Sequence, residues 1–189
     1  MKILELRDFG DKSKGEMPTL IITTDSSVTR DNRPVFLPEI SQRWCCEFSV
    51  AYLISRLGKS ISEKFAPRYY DMMTLCARLI PLDIVEGGSG EAALNWTPWA
   101  TAFDGAMAMG AWQGNGAIKA IDIAAPQSIS FANAMPPIDK AIKLLSKNMI
   151  IKTGDVVIPP APLYRCDISI GDHVEARLNG EEVLKFNVK

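Results

Sequence analysis

Several features that mark common classes of protein are missing from this sequence of 189 residues. It contains a single histidine, and its 21 basic and 22 acidic residues leave a formal net charge of only −1. The lysines and arginines are scattered, which excludes the positive stripe that nucleic acids and anionic membranes require. No apolar run is long enough to span a bilayer or to form the core of a signal peptide. We therefore expect a cytoplasmic protein that binds neither nucleic acid nor membrane.

Cysteine is also scarce, and its spacing excludes two further classes. Cys45, Cys46, Cys76 and Cys166 lack the paired spacing of a zinc site and the density of a disulfide framework. We expect these thiols to be reduced and buried, because free cysteine packs as a small apolar side chain. A cysteine nucleophile would need a nearby base, and the only histidine, His173, would have to reach it from the far end of the chain.

The first half of the chain carries mixed signals of strand and helix. Residues 1–8 and 19–24 are rich in apolar and β-branched side chains, which favours two short strands. The alternation over residues 44–57 predicts a strand, with a helix as the alternative. Ser60-Ile61-Ser62-Glu63 matches a capping box and predicts a short helix after it. A second helix is predicted over Tyr69 to Leu79, before Pro81.

The second half ends in β-structure. Residues 86–93 are rich in glycine but lack the spacing of a phosphate-binding motif, so they predict a surface loop. Residues 118–123 and 128–131 predict a pair of strands. Residues 137–147 form the clearest amphipathic helix of the chain. Near the C-terminus, Asn179-Gly180 predicts a tight hairpin.

A set of motifs spread over most of the chain resembles those of the fumarylacetoacetate hydrolase superfamily. The motifs are Pro34-Val35-Phe36-Leu37-Pro38, Leu57-Gly58-Lys59, Phe65-Ala66-Pro67-Arg68-Tyr69-Tyr70-Asp71, Phe103-Asp104-Gly105, Thr153-Gly154-Asp155-Val156-Val157 and Gly171-Asp172-His173-Val174. The resemblance implies a mixed α/β, mainly β fold like the C-terminal domain of this family, with short helices flanking β-sheets. It also implies one domain over residues 1–189, in which residues 1–18 are a divergent N-terminal segment, and it implies dimerisation.

Chemistry in this family depends on a divalent cation held by carboxylates, and the resemblance shows which positions would supply them. A Glu-x-Glu pair on one strand offers two oxygen ligands to one ion. Here the first of these positions is Cys45 and the second is Glu47. The third ligand, an aspartate in the family, corresponds to Arg78, whose guanidinium cannot bind a cation and would repel it. We expect Arg78 to pair with Glu47 instead.

The other working parts of the family are altered as well. Thr101 stands where the family has a lysine, just before the segment that contains Asp104. The hydroxyl-bearing substrate loop is replaced by a proline-rich segment that contains Ala161, and the N-terminal histidine that would activate water is absent. We therefore predict no catalytic residue, no metal ligand and no cofactor. The expected remnant is a vestigial pocket that consists of Cys45, Glu47, Arg78, Thr101, Asp104 and Ala161.

These substitutions predict a non-catalytic member of the family that keeps the fold and the dimer. It would act by binding a partner or a small carboxylate ligand, the latter held by Arg78, and the partner would be a second copy or a catalytically intact relative. An aromatic and methionine-rich segment between Trp96 and Trp112 would provide the dimer surface. The alternative is an active hydrolase or decarboxylase of acylpyruvate-like or 2-oxo acid substrates. In that case Mg or Mn would be bound by relocated ligands such as Glu39, Glu47, Asp83 and Asp104.

Overall fold

The computed structural model describes residues 1–11, 13–87 and 96–189, and β-strands are the main type of secondary structure in them. The strands are β1 Lys2–Leu6, β2 Leu20–Thr24, β3 Val28–Thr29, β4 Trp44–Ile54, β5 Tyr70–Pro81, β6 Met107–Met109, β7 Gln113–Gly114, β8 Ala120–Ala124, β9 Ser128–Ala132, β10 Val156–Ile158, β11 Tyr164–Asp167, β12 His173–Leu178 and β13 Glu181–Asn187. The α-helices are α1 Leu82–Val85, α2 Pro98–Thr101 and α3 Ile138–Asn148. The prediction of a mixed α/β, mainly β fold is confirmed.

Within these ranges the strands form two sheets. The larger sheet has the order β2-β1-β10-β4-β5-β6-β3, with β11 also paired to β4 and β7 to β5. The smaller sheet has the order β13-β12-β8-β9. One face of the larger sheet, the smaller sheet and the apolar face of α3 share the main hydrophobic core. The opposite face of the larger sheet is not part of this core, and it carries the candidate site.

The centre of the larger sheet is a long antiparallel pair, β4 with β5, in register from Trp44 opposite Pro81. The strand predicted over residues 44–57 is confirmed, whereas the helix predicted from Tyr69 to Leu79 is wrong. Nearly every side chain of β5 is buried, on both faces of the sheet. A strand buried on both faces is a continuous apolar run, and such a run lacks the alternation that would distinguish it from a helix.

The predicted capping box at Ser60 is also wrong. Residues 63–68 form a 3₁₀ helix that continues through Pro67, and the residue before it, Ser62, makes no side-chain capping bond. Ser60 instead has a positive φ of 53°. Its backbone N–H donates to the carbonyl of Ser146 at the end of α3 (2.8 Å), so the segment is held by tertiary contacts.

The remaining element predictions are confirmed where the structure describes them. Strands β8 and β9 pair antiparallel, and α3 buries the apolar stripe predicted for residues 137–147. Asn179 and Gly180 both have positive φ, 53° and 87°, as a two-residue hairpin turn between β12 and β13 requires. Residues 88–93 of the predicted glycine-rich loop lie outside the described residues. No described helix has the length and apolar character needed to cross a membrane.

The N-terminal strand lies inside the larger sheet rather than at its edge. Strand β1 pairs antiparallel with β2 and parallel with β10, where Ile3 stands opposite Val156. The carboxylate of Asp155 fixes this pairing, because it accepts a bond from the backbone N–H of Lys2 (2.9 Å). As a result, side chains of β1 lie close to the central β4–β5 pair.

Candidate functional site

Three of the predicted pocket residues lie together on the face of the larger sheet that is turned away from the main core. Cys45 and Glu47 are two residues apart on β4, so both point to this face. Arg78 on β5 stands directly opposite Glu47. All three are buried, with 1%, 5% and 2% of their surface exposed. Cys45, Glu47 and Arg78 are therefore buried neighbours on one face of the sheet.

The charges at this site form a closed network of two acids and two bases, here called the ion-pair cluster: Glu5, Arg7, Glu47 and Arg78. Both terminal nitrogens of Arg7 donate to the carboxylate of Glu47 (Nη2 to Oε2, 2.9 Å), and its Nη1 also donates to Oε1 of Glu5 (2.6 Å). Nε of Arg78 donates to Oε2 of Glu5 (2.5 Å). All four oxygens of the two carboxylates thus accept a bond from a guanidinium.

This arrangement differs from the expected pairing of Arg78 with Glu47. Arg78 and Glu47 are neighbours across the sheet, but the bonding partner of Arg78 is Glu5 and that of Glu47 is Arg7. The remaining bond of Arg78 runs from Nη2 to the hydroxyl of Thr23 (2.7 Å). Its Nη1 is buried and has no hydrogen-bond partner in the part of the chain that the structure describes.

The pKa values of Glu5 and Arg7 are shifted in the directions that keep both side chains ionised. Burial alone would raise the pKa of Glu5, but the charges of Arg78 and Arg7, together with their hydrogen bonds, outweigh it and hold that pKa below its ordinary value. For Arg7, burial would lower the pKa, whereas the bonds and charges of Glu47 and Glu5 raise it above the ordinary value. Glu5 is therefore negative and Arg7 positive at neutral pH.

A pH experiment can test the ionised state of Glu5. A lowered pKa in the folded state adds stability that is complete above the unfolded value of about 4.5 and is lost as the pH falls through the lower folded value. We expect Glu5→Gln to unfold at lower urea concentration than the parent at pH 7, and this difference to shrink below pH 4.5. The exposed control Glu39→Gln should show little difference at either pH. A Glu5→Gln deficit that stays constant with pH would contradict this prediction.

Apolar groups cover the end of the site that holds Cys45. The Trp96 ring lies 4.6 Å from the guanidinium of Arg7, and Cys45 packs in an apolar cluster that includes Ala100 of α2. Burial raises the pKa of the Cys45 thiol, although Arg165, whose Nε donates to its sulfur (2.9 Å), acts in the opposite direction. Cys45 is thus a covered thiol rather than an activated nucleophile.

The other predicted pocket residues do not join the cluster. Thr101 is buried in α2, and its hydroxyl donates to the carbonyl of Thr97 (3.2 Å). Asp104 is exposed, and Ala161 is half-buried between β10 and β11. His173 is exposed at the start of β12 in the smaller sheet, with its Nδ1 2.8 Å from Oδ1 of Asn187. None of these side chains hydrogen-bonds to the cluster within the described ranges.

A divalent cation does not fit this arrangement. Hard cations need several free oxygen ligands, whereas every carboxylate oxygen of the cluster is bonded to an arginine. Of the ligands proposed for the alternative, Glu39 and Asp104 are exposed, and Asp83 is bonded to Nε of Arg43 (2.8 Å). Over residues 1–11, 13–87 and 96–189 there is no group of three or more His, Cys, Asp or Glu placed to hold a metal.

Sequence reasoning missed two members of the cluster, Glu5 and Arg7. A signal was present, because two charged residues at a spacing of two stand in or directly after the apolar strand β1 and so point to one face. What the sequence could not show is that β1 lies beside β10 in the middle of the sheet. At its edge, the same residues would be exposed to water.

The segment expected to provide a dimer surface is mostly internal, which corrects that expectation. Met107 and Met109 are 0% and 3% exposed, because β6 is paired with β5 and packed in its own apolar cluster. Phe103 is half-buried and packs edge-on against Trp44, with 5.4 Å between ring centroids. Trp99 is the member that stands in solvent, at 75% exposure. These side chains therefore do not form one uncovered surface.

Comparison with solved structures confirms the fold that the motifs predicted, because proteins described as fumarylpyruvate hydrolases or as members of the fumarylacetoacetate hydrolase family share this architecture. It is similar to a Yersinia pestis CO92 protein assigned to this family, with a TM-score of 0.80 and 21% identity, over 100% of this chain and 92% of that one. It is also similar to fumarylpyruvate hydrolase from Pseudomonas aeruginosa, which was solved with Mn²⁺ and pyruvate. Here the TM-score is 0.80 and the identity 14%, over 100% of this chain and 89% of that one. It is similar as well to 5-carboxymethyl-2-hydroxymuconate delta-isomerase from Mycobacterium smegmatis, with a TM-score of 0.77 and 17% identity, over 99% of this chain and 78% of that one. No family model and no curated protein sequence matches the chain.

Proposed function

We propose that this chain is a non-catalytic protein of the fumarylacetoacetate hydrolase family that acts by binding a partner. The ion-pair cluster carries the proposal. It includes Glu47 and Arg78, two of the three positions at which the resemblance places the metal ligands, and it neutralises two carboxylates with two arginines. Because the charges balance, the cluster needs no cation to neutralise its carboxylates. Removing an arginine would leave buried negative charge unpaired.

A small carboxylate ligand held directly by Arg78 is less well supported. Two nitrogens of Arg78 already donate to Glu5 and Thr23, and the third is buried. A further anion would also add negative charge to a cluster that is already balanced. A partner protein bound at the surface requires no change in this buried network.

The second candidate function is metal-dependent hydrolysis or decarboxylation of an acylpyruvate-like or 2-oxo acid substrate. The observation that favours it is the likeness to the Pseudomonas aeruginosa hydrolase solved with Mn²⁺ and pyruvate. It would require Glu47 to release Arg7 and to recruit ligands from Glu39, Asp83 or Asp104. The exposed positions of Glu39 and Asp104 and the bonds of Asp83 make this the weaker candidate.

Titration with metal separates the two functions. We expect the purified protein to give no saturable heat when Mn²⁺ or Mg²⁺ is added up to millimolar concentration, since arginines occupy the carboxylates. We also expect no decrease in fumarylpyruvate absorbance in the presence of Mn²⁺. The Pseudomonas aeruginosa hydrolase, measured in parallel, is the positive control. Binding near one ion per chain together with turnover would establish the second function.

The proposed function includes association, because dimerisation is what the family resemblance implies for a chain that keeps the fold. We expect sedimentation equilibrium at micromolar concentration to give a mass near twice the 20.8 kDa of the chain. If the protein is a monomer alone, the partner would be a catalytically intact relative, and mixing with that relative should raise the mass. A monomer under both conditions would contradict the proposal.

A further inference from the structure

Strand β9 lies at the edge of the smaller sheet, and its exposed side chains are small and uncharged. It pairs with β8 on one side, and no other described strand pairs with it. Ile129 and Phe131 turn towards the core and are half-buried, whereas Ser128, Ser130 and Ala132 are exposed. The strand therefore presents three small side chains and one open backbone edge.

The hydrogen bonds that continue the β8–β9 ladder show which backbone groups are open. The N–H of Asn133 donates to the carbonyl of Lys119 (3.1 Å). At the other end of the ladder, the N–H of Ala125 donates to the carbonyl of Gln127 (3.1 Å). Opposite residues of an antiparallel pair exchange bonds at every second position. The odd-numbered residues of β9 therefore bond to β8, and the N–H and C=O groups of Ser128, Ser130 and Ala132 point outward.

The other side of β8 supports this assignment. The N–H of Asn179 donates to the carbonyl of Ala120 (2.8 Å), next to the pairing of Leu178 with Ile121. The even-numbered residues of β8 thus bond to β12, which leaves its odd-numbered residues for β9. Both ladders agree on which edge of β9 is free.

Strand β9 has no charged residue of its own, although the carboxylate of Asp122 on β8 accepts a bond from its Ser130 hydroxyl (2.6 Å). No charged residue occurs between Asp122 and Asp139, so β9 and both of its flanks are neutral. Edge strands are commonly protected by lysine, proline or a bulge, and β9 itself has no lysine or proline and keeps a regular register. In a pair centred on Ser130 the two strands that face each other would be neutral, and each Asp122 would lie one strand further away, on β8. Strand β9 also has no charged side chain that would give it specificity for a strand of a different protein.

We propose that β9 pairs antiparallel with β9 of a second copy, centred on Ser130, so that the two smaller sheets become one continuous sheet. Ser130 would face Ser130 of the partner subunit, and Ser128 would face Ala132 of the partner subunit. Each of the three opposed pairs exchanges two backbone bonds, which satisfies the open groups of both strands. Met135, 91% exposed just beyond the strand, extends the contact with apolar surface. The inference rests on the dimer that is part of the proposed function.

Proline at position 130 provides a specific test. The N–H of Ser130 points away from β8, so Ser130→Pro leaves the intrachain ladder intact while it removes a central donor and places a ring in the contact. We expect roughly 100-fold weaker self-association by sedimentation equilibrium. Ser130→Ala is the matched control: it loses the hydroxyl that donates to Asp122 (2.6 Å) but keeps the N–H, and its association should be unchanged.

Amide hydrogen exchange on the parent protein gives a readout that does not depend on the variant folding. Exchange at Ser128, Ser130 and Ala132 should slow as protein concentration rises through the dimerisation range. A dimer in which these amides stay unprotected, or which Ser130→Pro does not weaken, overturns the β9 contact while the proposed dimer stands. A parent protein that is monomeric at every concentration overturns the β9 contact and self-association together.

Discussion

Arg78→Met should lower the free energy of unfolding by about 3–5 kcal/mol at neutral pH, because a buried carboxylate would lose one of its two cationic partners. Glu5 is 3% exposed, so water cannot replace the lost donor without opening the sheet. Thr23 would lose its bond from Arg78 as well. Urea denaturation followed by circular dichroism measures the change.

Two further variants identify the cause of this loss. Arg177→Met removes an exposed arginine that pairs with Glu175 (2.9 Å), and we expect at most about 0.5 kcal/mol from it. Arg78→Met combined with Glu5→Leu should recover much of the stability, since buried charge pairs are replaced by apolar residues at little cost. Equal losses for Arg78→Met and Arg177→Met would show that the cluster is not a buried ion-pair network.

Cys45→Glu together with Arg78→Asp should create a cation site at the position of the ion-pair cluster. The two changes add two carboxylates beside Glu47, on the same face of β4 and β5, and remove one guanidinium. Without metal the variant should be less stable than the parent, because the acids repel one another. With Mn²⁺ at about 100 times its dissociation constant, binding should add about 2.7 kcal/mol to the unfolding free energy.

Cys45→Gln with Arg78→Asn is the matched control, since it keeps the side-chain sizes of the designed site and lacks its charge. It should show neither saturable heat with Mn²⁺ nor a metal-dependent melting temperature. We expect neither variant to turn over fumarylpyruvate, because Thr101 and Ala161 still differ from the residues that contact substrate in the family that the chain resembles. Enzyme-like turnover by the charged variant would contradict the view that several parts of the mechanism are missing together.

Most of the β-structure could be predicted from local patterns, and the main error has a physical cause. Strand β4, helix α3 and the Asn179-Gly180 turn each carry a signal in neighbouring residues. Strand β5 does not, because its long buried run has no alternation to separate strand from helix. Its identity depends on pairing with β4, which is a long-range contact.

The residues of the candidate site could likewise be predicted only in part. That Cys45 and Glu47 share a face follows from the period of a strand, and the resemblance adds Arg78. Glu5 and Arg7 could not be placed, because 40 or more residues separate them from their partners in β4 and β5. Their role depends on a parallel contact with β10, and sequence periodicity carries no information about which strands become neighbours.

The position of β1 between β2 and β10 has a consequence during synthesis on the ribosome. Its hairpin with β2 can form early, but its parallel partner, Val156–Ile158, is made about 150 residues later. Until then the second edge of β1 has no partner strand, and the sheet that buries Glu5 and Arg7 is incomplete. The larger sheet closes only when the C-terminal quarter of the chain has emerged, so a chain released before that point would expose both an open strand edge and a solvated ion-pair cluster to chaperones and proteases.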